Sequence, residues 1–137
     1  MIKGIIDEIK VICNTIETLN DIFIGDIRNY DNSHSVQYPI CNLDVVDATV
    51  TNFAQEYRIR VYICDRNEPY IAYNKTELIL NKLFKSIDIE DKEYTINYFT
   101  LDFKDQVNGV WADITITRAL VLDCVEEIIS CEPIIIP

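Results

Sequence analysis

From residue 57 to 64 the side chains alternate one by one between two characters. Tyr57, Ile59, Val61 and Ile63 fall on one face of an extended chain, and Arg58, Arg60, Tyr62 and Cys64 on the other. Period-two alternation carried by β-branched and aromatic residues predicts a strand. At about 3.3 Å per residue it spans roughly 26 Å, long enough to be the central strand of a small sheet.

Other periods flank it. Ile2, Ile5, Ile6, Ile9, Ile12, Ile16 and Leu19 recur at three- and four-residue steps, which predicts an amphipathic helix over 2–20 ending at Asn20 or Asp21. Lys3 and Glu8 are expected to pair on its surface. Ile22–Ile24 reads as a short apolar strand stopped by Gly25. Residues 38–46 enter a second strand with Pro39 at its start or on an edge, since proline cannot donate to a ladder. Residues 48–53 lead, through a turn or a bulged strand, into 57–64, so 38–66 is expected to form a hairpin or meander. Asn74 with Glu77 three positions on predicts the start of a helix over 74–87, its apolar face made by Leu78, Leu80, Leu83, Phe84 and Ile87.

Tyr94, Ile96 and Tyr98, with the out-of-phase Phe99, Leu101 and Phe103, predict a long strand apolar on both faces. Asn108-Gly109 is a hairpin signal, and 106–109 is read as the turn. Residues 111–124 return as a strand, with Ile114, Ile116, Arg118, Leu120 and Leu122 on one face and Asp113, Thr115, Thr117, Ala119 and Val121 on the other. Residues 125–130 fit a short helix or a strand. Ile134, Ile135 and Ile136, between two prolines, either complete the chain's own sheet or extend onto a neighbour as an added strand. The predicted class is α+β: an antiparallel sheet with an N-terminal amphipathic helix and a second helix packed on it. A single domain is expected over 1–137, with a core at 1–122 and residues 123–137 as a C-terminal arm.

Bulk composition narrows the function. The chain has 137 residues, enough for one domain, and 49% of them are hydrophobic, the profile of a folded protein. Acidic residues number 23 against 12 basic ones, a net charge of -11. Nucleic-acid binding draws its affinity from Lys and Arg at phosphates, so such a chain is poorly suited to gripping DNA. The same charge suits a lumen through which DNA slides, or simply maintains solubility. The N-terminus carries acids where a signal peptide is apolar, and no apolar run approaches the roughly 20 residues a membrane-spanning helix needs. The expectation is a soluble chain, without membrane association, that stays in the cell that makes it.

Candidate chemistry is sparse. Cys13, Cys41, Cys64, Cys124 and Cys131 are scattered without a C-x-x-C pair, and His34 is the single histidine. Clustered ligands at fixed spacing are missing, so the cysteines read as reduced core residues and no metal is expected. Asp26, Asn29, Asp31, Asn32 and His34 lack the Gly and closing Glu of a calcium loop and read as turn residues. No nucleophile stands in a matching context beside His34, and three scattered glycines cannot build a phosphate loop. Asp88, Glu90, Asp91 and Glu93 crowd one polar loop. The expectation is no enzyme and no cofactor.

The order helix, strand pair, long strand, capped helix and hairpin resembles the small tail-terminator and neck (tail-completion, head–tail connector) proteins of tailed bacteriophages. The helix at 2–20, Tyr38-Pro39 opening a strand, strand 57–65 before helix 74–87, and the hairpin from 99–103 to 108–114 carry the resemblance. Gly109 and Trp111 stand where that family often has a Gly and a Trp at the start of the returning strand. The Ile- and Asn-rich, Gly-poor style is similar to that of phages of AT-rich gut bacteria, including the crAss-like group. The resemblance runs to about residue 122, and the apolar tail 131–137 has no counterpart in the family pattern.

What the resemblance implies is a structural virion protein with a tail-terminator-like fold, made in the host cytoplasm and found in the tail or neck. Such proteins form homo-oligomeric rings, six-fold or twelve-fold, stacked between portal and tail beside other connector and tail proteins. The genome passes through the lumen without specific binding. Arg58, Arg60 and Tyr62 on the strand, Val107, Asn108 and Gly109 at the expected hairpin tip, and Ile134, Ile135 and Ile136 of the arm are then candidate subunit contacts. Two other expectations stand beside this one. A small intracellular ligand- or protein-binding module would enclose a cavity lined by Tyr94, Tyr98, Phe99 and Trp111, and an enzyme would use the acidic cluster at 88–93.

Overall fold

A computed structural model describes residues 2–27, 38–51, 53–87, 94–102, 106–122 and 133–136. The elements are α1 (Ile2–Asn14), β1 (Asp21–Ile24), β2 (Ile40–Val50), β3 (Ala54–Asp65), α2 (Pro69–Ser86), β4 (Asn97–Asp102), β5 (Gln106–Leu122) and β6 (Pro133–Ile136). The fold is α+β, as the periodicities predict. The strands form one sheet in the order β1-β2-β3-β5-β4, with β6 also on β5. Only β1 and β2 run parallel; every other pair is antiparallel. Strand β3 is the centre, paired with β2 on one side and β5 on the other.

Both helices pack on one face of this sheet. Ile5, Ile6, Ile9 and Cys13 of α1 and Ile79, Leu80, Leu83 and Phe84 of α2 join Tyr57, Ile59, Val61 and Ile63 of β3 in one buried cluster. Ala112, Ile114 and Ile116 of β5 complete its floor. Each fully buried Leu, Ile or Phe contributes about 1.5–3 kcal/mol by leaving water, so this layer is the main source of stability. Phe84 and Tyr94 pack edge to face at 4.5 Å between ring centres.

Four local expectations are corrected. Helix α1 stops at Asn14, and the chain continues in turns whose amides reach back three residues, Thr15 to Ile12, Ile16 to Cys13 and Leu19 to Ile16. The Thr15 hydroxyl donates to the Ile12 carbonyl at 2.6 Å, which ends the helical ladder while Ile16 stays buried. Lys3 pairs with Asp7 at 3.0 Å, one turn away, and Glu8 instead reaches Arg118 of β5 at 3.2 Å. Helix α2 begins at Pro69 rather than Asn74, because proline's fixed φ and missing N–H suit a first helical position. That earlier start places Ala72, Thr76 and Ile79 on the buried side, whereas Leu78 is 57% exposed.

The fourth correction concerns Asn108 and Gly109, which form no turn. They lie inside β5, paired with Thr100 and Phe99 of β4 and with Asp65 and Cys64 of β3. Strand β4 ends at Asp102 and β5 begins at Gln106, so the reversal precedes the Asn-Gly pair. Gly109 is needed for closeness instead: a Cβ there would stand 2.0 Å from the Ile63 carbonyl oxygen and 2.9 Å from the Cys64 Cα. The glycine that does take positive φ is Gly25 (127°), at the end of β1 as expected. Strand β2 carries a register shift between Val45 and Asp47, ahead of the 48–53 stretch expected to hold a turn or a bulge, and the Thr51 amide donates to the Ala54 carbonyl at 2.9 Å where β2 passes to β3. The Tyr38-Pro39 peptide is cis and stands just ahead of β2.

The expectations for the loop around His34, for the acidic cluster 88–93 and for 125–130 lie outside the described residues. Among the described residues, no helix is long and apolar enough to cross a membrane.

Candidate interaction face of the sheet

The face of the sheet turned away from the helices carries the candidate residues. Its composition follows from register. One row across the strands is Ile40, Cys64, Gly109 and Phe99; the next is Asn42, Tyr62, Trp111 and Asn97. Then come Asp44, Arg60 and Asp113, and beyond the bulge Asp47, Arg58 and Thr115. One half of this face is therefore apolar and the other charged.

The apolar half forms a small second cluster. Ile27, Ile40, Cys64 and Val107 are buried there, and Phe23, Tyr38, Tyr62, Phe99 and Leu101 pack against them. Tyr62 and Phe99 pack edge to face with ring centres 5.2 Å apart, and Tyr62 leans on Trp111 at 6.3 Å. Asn42 donates to the Gly25 carbonyl at 2.9 Å, tying the end of β1 to this side.

At the boundary between the halves sits Arg60. Its Nε donates to Asp113 Oδ1 at 2.8 Å and its Nη2 to Asp113 Oδ2 at 3.1 Å, a two-bond fork across neighbouring strands. The guanidinium carbon also lies 4.3 Å from the centre of the Trp111 ring, within cation–π range. The Asp113 carboxylate, with a smaller contribution from Tyr62, pushes the Arg60 pKa above its already high value, so the charge is permanent. Both side chains remain about three-tenths exposed, 31% and 27%. Arginine held flat by a carboxylate over an aromatic ring, with two more aromatics beside it, is the side-chain mixture enriched at protein–protein contacts.

The nine candidate contact residues thus separate into groups. Arg58 is exposed, and Arg60 and Tyr62 are half-buried on the open face. Val107 and Asn108 are 0% and 1% exposed, and Gly109 is packed against β3, so these three are interior residues rather than a hairpin tip. Asn108 is instead spent inside the fold: it accepts from the Thr100 hydroxyl at 2.6 Å and donates to the Asn67 carbonyl at 3.0 Å. Beside it the buried Asp65 accepts from Asn67 at 2.7 Å and faces Lys75 at 3.6 Å, joining β3 to the first turns of α2. Ile134, Ile135 and Ile136 pair through their backbone with Val121, Leu120 and Ala119 of their own chain, the first of the two readings of that tail.

Sequence reading missed Trp111, Asp113 and Phe99 as members of this face. Their spacing is period-two within β4 and β5, but which strand neighbours them is a long-range fact: Asp113 lies 53 positions from Arg60. The four aromatics expected to share a cavity are divided between the faces. Tyr94 and Tyr98 lie on the helix side, Tyr94 against Phe84 and Tyr98 stacked on Tyr73 at 4.3 Å, while Phe99 and Trp111 lie opposite.

Among the described residues, no group of three or more His, Cys, Asp or Glu side chains is placed to hold a metal ion. No protein-family model matches the chain, and no curated protein sequence matches it.

Proposed function

We propose that this chain is a structural subunit rather than a catalyst: a ring-forming protein of the head–tail connector or tail of a tailed bacteriophage, in the position of a tail terminator or neck protein. In this reading it joins the portal side to the tail and lets the genome pass. It works without a cofactor, resides in the virion, and contacts copies of itself and other connector or tail proteins.

The observation that carries the reading is the sheet face opposite α1 and α2, where Arg60, Tyr62, Trp111 and Phe99 gather on β3, β5 and β4. A surface of this kind gives two protomers an anchored contact of aromatic area and fixed charge. The element order, helix, short strand, strand pair, helix, hairpin, supports the family resemblance. The charge of -11 supports a lumen that repels DNA instead of retaining it. Ring closure requires a head-to-tail contact between different surfaces, so a second patch must meet this one.

Size-exclusion chromatography with light scattering, followed by negative-stain imaging, tests the proposal on the purified chain and on its mixture with phage tails. Rings, or binding to tails, are expected. A strict monomer that also ignores virions and tails overturns it.

A further inference from the structure

Two thiols on different elements meet beneath a surface cavity. Cys13 belongs to the last turn of α1 and Cys41 is the second residue of β2, 28 positions later, yet their sulfurs stand 4.0 Å apart. Both are buried, at 1% and 0% exposure. Cys13 nevertheless lines a cavity of about 280 Å³ that opens beside Lys10, Asn14, Asn20 and Asp21. Cys41 lies behind it, deeper in the core. Cys64 makes a useful contrast, since it is buried on the opposite face of the sheet among Ile27, Ile40 and Val107.

We infer that Cys13 and Cys41 form a redox pair: a hydroperoxide entering the cavity oxidises Cys13, and Cys41 resolves it to an intramolecular disulfide joining α1 to β2. In the first step the Cys13 thiolate attacks a peroxide oxygen. The O–O bond breaks, Cys13 becomes a sulfenic acid, and the departing oxygen takes a proton to leave as water or an alcohol. In the second, the Cys41 sulfur attacks the Cys13 sulfur, the S–O bond breaks, and the hydroxide leaves as water with the Cys41 proton. Two thiols lose two electrons in total and the peroxide gains them.

The geometry assigns the roles. Cys13 touches the cavity and Cys41 does not, so Cys13 is the sulfur a small oxidant reaches. The contact between the two sulfurs holds Cys13 below its ordinary 9.0, whereas the same contact and full burial hold Cys41 well above it. A disulfide needs the sulfurs at about 2.05 Å, so they must approach by roughly 2 Å. Cys13 sits one residue from the end of α1, where the helix already gives way to turns, and a helix end shifts more readily than a strand in mid-sheet. The inference is independent of the ring proposal, because it rests on the core of one protomer.

The test is mass spectrometry on the full chain, folded, with stoichiometric hydrogen peroxide followed by alkylation. The expected product is lighter by two hydrogens, reverts with dithiothreitol, and yields a linked pair of peptides containing Cys13 and Cys41. Oxidation in urea, where the five cysteines are freed from the fold, is expected to give mixed pairings instead. A Cys41→Ser variant should stop at one added oxygen on Cys13, captured by dimedone. The wild-type peptide map decides the matter if that variant fails to fold. A folded chain that links other cysteines, or links none, overturns the inference.

Discussion

Arg60 and Asp113 face each other across β3 and β5 in a two-bond fork, at 2.8 and 3.1 Å, with the Trp111 ring beneath the guanidinium. The pair is partly solvated, so its contribution to folding is modest, about 1 kcal/mol. Asp113→Ala is expected to lower the stability of the protomer by that amount in urea titrations, with the slope unchanged. Arg60→Glu places a third acid between Asp44 and Asp113. It should leave the protomer folded and abolish assembly, checked by circular dichroism and light scattering on the same sample.

Gly109 tolerates no side chain. Because a Cβ would meet the β3 backbone at 2.0 Å, Gly109→Ala must force the two central strands apart. A loss of about 3 kcal/mol is expected, at the upper end of overpacking costs. A substitution costing less than half of that in denaturant unfolding would show that the strands can separate locally.

Two apolar positions of α2 should differ widely in their weight. Phe84, 1% exposed and against Tyr94, is expected to lose about 3–5 kcal/mol on change to alanine. Leu78, 57% exposed, is expected to change stability by no more than about 0.5 kcal/mol. Thermal unfolding of the two variants side by side separates them.

Alkaline pH should lower the stability of the protein. Burial raises the thiol of Cys64 and the phenols of Tyr57 and Tyr94 above their ordinary 9.0 and 10.0, and Cys41 is raised by its contact with Cys13 and by burial. Each folded group keeps its proton longer than the unfolded chain does. Their contribution is therefore whole below the unfolded pKa and is lost as pH rises from there through the folded pKa. Cys13 works in the opposite sense but alone. Urea midpoints measured under reducing conditions should hold steady from pH 7 to about 8 and fall beyond about 9.

How far these relationships could be read from the chain depends on their range. Strand β3 was legible because alternation is local, and its inward set, Tyr57 to Ile63, is the buried set. The start of α2 was not, because Asn74 and Pro69 both carry helix-start chemistry and proline at the first turn prevails. Ile16 and Leu19 keep the helical phase while lying in turns, which hid the end of α1. Asn108-Gly109 misled for a deeper reason. The dipeptide favours a turn locally, but the space around Gly109 is set by Ile63 and Cys64 of β3, far upstream in the chain. The candidate face was half visible: Arg60 and Tyr62 could be placed, whereas Trp111 and Asp113 needed the register.

The pairing of β3 with β5 also sets an order of events during synthesis. Its register joins Asp65 to Asn108 at one end and Ala54 to Ala119 at the other. The β3–β5 pairing therefore cannot be completed until residue 119 has left the ribosome. Until then β3 is paired with β2 on one side only, and its other edge, from Ala54 to Asp65, presents open backbone groups that other nascent chains can join. A protein so built folds late relative to its own synthesis, on the millisecond-to-second scale of sheets closed by distant strands, and its yield should respond to chaperones more than to codon choice in the first sixty residues.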